Sequence, residues 1–175
     1  DLEGLAEVQH VRGLAAICRG DYGQARMLLE ASLADFKSLG DEWSVTDALI
    51  TLATALFSMG DVAGAEARVM EALGGSTQTG PRWDRLGVAE GLEVLAGVEA
   101  ARDRYEAAAR WLGAADGLRE AMRAPVPPYR EVECDALVGR VKRALPAATF
   151  RAAFDTGRAL TLSEILHELN ARRPS

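Results

Sequence analysis

The chain carries few of the side chains that do chemistry. Its 175 residues include two histidines, two cysteines and 6% aromatics. Cys18 and Cys134 are too few and too far apart for a disulfide scaffold or a zinc site, so both are expected to be small, buried hydrophobes in a reducing cytoplasm. His10 and His167 have no partners at the spacing of a metal site or a catalytic triad, and are expected to be ordinary groove or surface histidines. No run of 18 apolar residues occurs, which excludes a membrane-spanning helix. The opening DLEGLAEVQH has neither a basic nor an apolar region, so no signal peptide is expected, and its lack of Met suggests a piece of something larger. The phosphate-binding pattern G-x-x-x-x-G-K-[ST] is missing, since Lys37-Ser38 has no glycine before it, and so is G-x-G-x-x-G. The segment 74–80, GGSTQTG, is read as an inter-repeat loop rather than an anion nest. No catalytic, cofactor-binding or metal-binding residue is expected, and the chain is not read as an enzyme.

Abundance lies elsewhere. Alanine (32) and leucine (22) dominate, and both favour helix strongly. The six prolines (81, 125, 127, 128, 146 and 174) fall at expected helix boundaries. Gly20-Asp21, Gly40-Asp41 and Gly60-Asp61 stand at intervals of twenty residues, continued by Gly80-Pro81. Glycine can end a helix in the left-handed conformation, and an aspartate directly after it can cap the next one. A forty-residue period lies over the twenty. Gly40-x-x-Trp43 recurs as Gly80-x-x-Trp83, and Gly20-Asp21-Tyr22-x-x-Ala25 as Gly60-Asp61-Val62-x-x-Ala65. A third copy, Asp103-Arg104-Tyr105-x-x-Ala108, lacks the glycine. The unit is therefore a pair of helices, antiparallel because the connections are short.

This pattern resembles the tetratricopeptide repeat. The resemblance puts Gly13, Ala53 and Ala96 at the small position of each first helix. It puts Ala25, Ala65 and Ala108, then Ser32, Ala72 and Ala115, at the small positions of each second helix. Residues 104–170 also resemble the C-terminal end of bacterial STAND-type signalling ATPases and LuxR-type, MalT-like or AfsR-like transcription regulators. The residues that carry it are Arg104 to Ala115, Leu118-Arg119-Glu120-Ala121, Ala124-Pro125-Val126-Pro127-Pro128 and Gly157 to Glu164. Physical reading of the tail gives an extended Ala124–Pro128. A helix is expected over about 129–144 with Val132, Ala136, Leu137, Val141 and Leu145 inward. A short helix follows Pro146, with Phe150 and Phe154 on one face. The last helix is expected to be capped by Thr161 or Ser163, with Ile165, Leu166 and Leu169 inward.

The expected fold is all-α, an α-solenoid of tetratricopeptide-like helix hairpins with a C-terminal helical cap. Three pairs span residues 1–124 (about 1–39, 41–79 and 81–123), and capping helices span 125–175, because a repeat array needs its open end covered. The resemblance implies a non-catalytic interaction or sensor arm of a larger cytoplasmic regulator, binding a partner helix or effector on its concave face. The alternative is a free-standing scaffold that assembles other proteins. Expected partners are other domains of the full regulator or another protein, with a small-molecule effector also considered, and no membrane. Carried over from the family, the partner-facing positions are Glu7, His10, Leu14 and Ile17. They continue with Asp47, Ile50, Thr54 and Phe57, then with Glu90, Glu93, Gly97 and Ala100. None is the Asn, Lys or Arg of the carboxylate clamp, which argues against acidic peptide tails. The acids there, with Ile50 and Phe57, suggest an acidic-apolar groove for a basic or neutral helix. Glu90 and Glu93, one turn apart, are otherwise read as a solvated face. Residues 1–128 hold 12 basic and 20 acidic side chains, and 129–175 hold 8 and 6. An acidic body of this kind is unsuited to gripping nucleic acid directly.

Overall fold

The Gly-Asp signals end and start helices in the structure. In a computed structural model, which describes residues 1–73 and 85–172, Gly20, Gly40 and Gly60 have φ of +74°, +69° and +84°. The carboxylate after each accepts a hydrogen bond from the following helix. Asp21 accepts from the Gln24 N–H (3.1 Å), Asp41 from Ser44 (3.2 Å) and Asp61 from Gly64 (2.8 Å). The helices so delimited are α1 (Leu2–Cys18), α2 (Tyr22–Leu39), α3 (Glu42–Ser58) and α4 (Val62–Leu73). At the third copy, Asp103 takes the left-handed place of glycine (φ +59°), and Arg104 is an N-cap whose side chain makes no capping hydrogen bond. This turn joins α5 (Arg85–Ala101) to α6 (Tyr105–Met122). The Gly80-Pro81 and Trp83 marks and the segment 74–80 lie outside the described residues. All described regular structure is helical, and no described helix is long and apolar enough to cross a membrane.

The chain divides into two compact units, Asp1–Gly75 and Ser76–Ser175. In the first, α1 packs on α2, α2 on α3 and α3 on α4, with a smaller contact between α1 and α3. Gly13 lets α1 approach α2, since a Cβ there would stand 2.7 Å from Leu29 Cγ. Lys37 on α2 is 2.7 Å from Glu71 on α4, which Arg68 also binds. All nine small positions are buried: Gly13, Ala53, Ala96, Ala25, Ala65, Ala108, Ser32, Ala72 and Ala115. Around them sit Leu29, Leu49, Leu52 and Val69 in the first unit and Leu92 and Leu95 in the second. A fully buried side chain of this size contributes roughly 1.5–3 kcal/mol.

In the second unit α6 is the centre. It packs on α5 and as extensively on α8 (Ala147–Arg158), while α7 (Pro128–Ala144) lies lightly against α5, α6 and α8. Bare backbone brings α6 and α8 together. A Cβ on Gly157 would fall 1.8 Å from the Arg110 carbonyl oxygen, and one on Gly113 would fall 2.0 Å from that of Phe154. Pro127 and Pro146 are the N-caps of α7 and α8, with Pro128 at the first position of α7. The last helix, α9 (Leu162–Ala171), opens with a Thr161/Glu164 capping box and buries Ile165 and Leu169.

Two expectations about side-chain placement are corrected. Val132 is 79% exposed and Ala136 also faces solvent, while Arg130 is buried and Cys134 half-buried. The inward side of α7 runs through Arg130 and Val141, so Val141 is buried as expected while Val132 and Ala136 are not. Cys18 is not a buried hydrophobe but an exposed thiol in the last turn of α1.

Candidate functional site

The partner-facing positions proposed from the sequence fall in both units. In the first, α1 and α3 bring His10 and Asp47 together. His10 Nε2 lies 3.2 Å from Asp47 Oδ2, a close approach without hydrogen-bond geometry, and the imidazole tilts against Phe36 at 6.2 Å. His10 is buried, so it is not a surface histidine, whereas His167 is exposed. Glu7 is exposed one turn before His10, and the Asp47 side chain is 42% exposed. Phe57 is half-buried. Ile50, Thr54 and Ile17 are core residues, with the Thr54 hydroxyl donating to the Ile50 carbonyl (3.2 Å), and Leu14 is half-buried. The accessible set in this unit is therefore Glu7, Asp47 and parts of Leu14 and Phe57.

Sequence reasoning missed the outer side of α1. Leu5, Val8 and Val11 are 50%, 54% and 62% exposed, on a helix that buries Ala6, His10, Gly13, Ala16 and Ile17. Glu7 and Val11 are one turn apart on this helix, so acid and apolar surface adjoin. The signal was present: Leu2, Leu5, Val8 and Val11 recur every three residues, a step that winds around the helix rather than keeping to its buried side.

In the second unit, the reading of Glu93 as part of a solvated face is overturned. Glu93 is buried between two arginines, Arg119 on α6 (2.6 Å) and Arg130 on α7 (3.1 Å). Both arginines are buried as well. Glu90 is closer to the surface, 3.8 Å from Arg119. Gly97 and Ala100 are buried. Burial weakens the charge of Arg119, but the Glu93 carboxylate outweighs it and raises the guanidinium above its usual range. Cys134 lies 3.9 Å from Glu93, and burial, with that carboxylate, pushes its thiol up to about 11. A thiol with such a pKa stays protonated at neutral pH and is a poor nucleophile.

A second buried acid, Glu99 at the end of α5, is fully enclosed and binds Arg104 and Arg172. Burial pushes its carboxyl upward, yet the hydrogen bonds from Arg172 and Arg104 prevail and hold it below the usual range. Arg172 also lies over the Trp111 ring at 5.6 Å. Arg110 and Glu168 pair in a fork between α6 and α9. These contacts fasten the last helix to the unit. Among the described residues, no three acid, histidine or cysteine side chains gather as a metal site.

No protein family, curated protein or solved structure matches this chain.

Proposed function

We propose that the chain is a non-catalytic interaction arm of the tetratricopeptide type. The resemblance of residues 104–170 supports reading it as the arm of a bacterial ATPase-type transcriptional regulator. In this reading the outer side of α1 takes a basic amphipathic helix, supplied by another domain of that regulator or by a partner protein. The observation that carries the reading is the exposed apolar run Leu5, Val8 and Val11 with Glu7 on the same helix, while Asp47 meets that helix at His10. Apolar side chains left this open on a helix with a buried opposite side mark an interaction surface, and the neighbouring acids select a basic partner. The buried acids of the second unit support the same reading, because Glu93 is spent on Arg119 and Arg130, and Glu99 on Arg104 and Arg172.

Titration calorimetry with a lysine-rich amphipathic helical peptide tests it. The expected result is saturable binding that weakens about tenfold in the double variant Glu7→Lys/Val11→Ser. Equal binding by the variant would remove α1 from the interface.

A further inference from the structure

At the corner where α7 ends and α8 begins lies a cavity of about 310 Å³, lined by Lys142, Ala147, Phe150, Arg151 and Phe154. We propose that this cavity is a binding site for a small planar aromatic anion, a ring bearing one carboxylate or similarly charged group. Its volume is at the lower end for small-molecule sites, and suits one or two fused rings.

Three features make the chemistry specific. Phe150 and Phe154, one turn apart on α8, stack with ring centres 5.6 Å apart and planes at 25°. They form a continuous aromatic wall against which a planar ring packs in offset or edge-to-face contact. Lys142 holds its ammonium 5.4 Å from the centre of the Phe150 ring, so one cation is already placed at the edge of that wall. Arg151 supplies a second cation, with a planar fork suited to a carboxylate. No carboxylate lines the cavity.

Neither cation is held by a carboxylate. Among the described residues, neither Lys142 nor Arg151 forms an ion pair. On the same helix Arg158 is fully engaged, 3.1 Å from Asp116 and 2.6 Å from Glu120. Here two exposed cations stand beside a pair of half-buried aromatic rings. Their chemistry matches a ligand with both a ring and a negative charge. The first turn of α8 adds to the positive field, since it has no side-chain cap and no acidic residue. This site lies in the second unit and uses no residue of the α1 face, so each stands or falls alone.

The test is an amide NMR titration of the whole chain with 2-naphthoate. Two controls separate ring from charge: 2-naphthalenemethanol has the ring without the charge, and acetate the charge without the ring. The expected result is saturable binding tighter than about 1 mM, with the largest shifts at Ala147, Phe150 and Arg151. Both controls should bind at least about tenfold more weakly. The double variant Lys142→Ala/Arg151→Ala, whose side chains are exposed, should keep the wild-type helical signal and lose about tenfold or more in affinity. Arg26→Ala in the first unit should bind as wild type does. Failure of 2-naphthoate to saturate in this range would overturn the proposal. So would equal binding of the uncharged alcohol, or undiminished binding by the double variant.

Discussion

Asp103 is a single residue asked to hold a conformation that glycine holds at the other Gly-Asp turns, with φ +59°. Aspartate tolerates this region better than most residues but at a cost. Asp103→Gly is therefore expected to stabilise the chain by about 0.5–1 kcal/mol in urea unfolding. Its neighbour gives the opposite result. Arg104→Asp would restore a side-chain cap, worth about 1 kcal/mol, but would remove an ion-pair partner from fully buried Glu99. Its net effect should be loss of stability. Glu93 sets the larger stakes. Glu93→Ala leaves Arg119 and Arg130 buried without their shared carboxylate, and should cost roughly 3–5 kcal/mol. Replacing all three by methionine should recover much of that loss. Glu99 gives the pH dependence. Its carboxyl is held below the usual range in the folded chain, so its contribution is full above the unfolded value of about 4.3. The contribution fades as pH falls through the lower folded value. The melting temperature of Glu99→Gln should accordingly drop less than that of wild type on acidification from pH 5. An equal drop would show that Glu99 is not the group responsible.

At the scale of the helix, legibility depended on range. The stops at Gly20, Gly40 and Gly60 and the caps at Asp21, Asp41 and Asp61 were readable because a left-handed residue and its capping neighbour act within a few positions. The burial of the nine small residues was expected through the resemblance to the tetratricopeptide repeat, which assigns small side chains to those positions. Glu93 was not. Its partners Arg119 and Arg130 are distant in the chain and become neighbours only when α5, α6 and α7 meet, so in sequence it looks like an exposed acid one turn from Glu90. On α7 the side holding Arg130 and Val141 is buried, which leaves Val132 in solvent. The α6–α8 crossing was hidden too. Gly113 and Gly157 show no periodic signal, yet each places its α-carbon against the other helix's carbonyl oxygen. Gly157→Ala should cost about 3 kcal/mol or more, because backbone rather than a movable side chain stands in the way. Hydrogen exchange should then quicken in α8 before α5. Protection unchanged in α8 would mean that the helices can part without penalty.

For the whole chain, charge and apolar exposure divide the surface into unlike places. In the first unit Glu7 adjoins the open apolar side of α1, and Asp47 meets the same helix at His10. The Lys142 and Arg151 cations of the second lie at the α7–α8 corner. The first suits a basic helix and the second a small aromatic anion, and neither needs a catalytic group. Exposed charges are screened by salt, so peptide affinity at α1 should fall between 50 mM and about 300 mM salt, while the apolar share persists. The most direct measurement is an amide NMR titration of the intact chain with the basic amphipathic peptide, repeated with Glu7→Lys/Val11→Ser. The expected result is a set of saturable shifts concentrated at Leu5, Glu7, Val8, Val11 and Asp47, weakened in the variant. Shifts that bypass α1, or binding that the variant leaves unchanged, would contradict an interaction arm working through this helix.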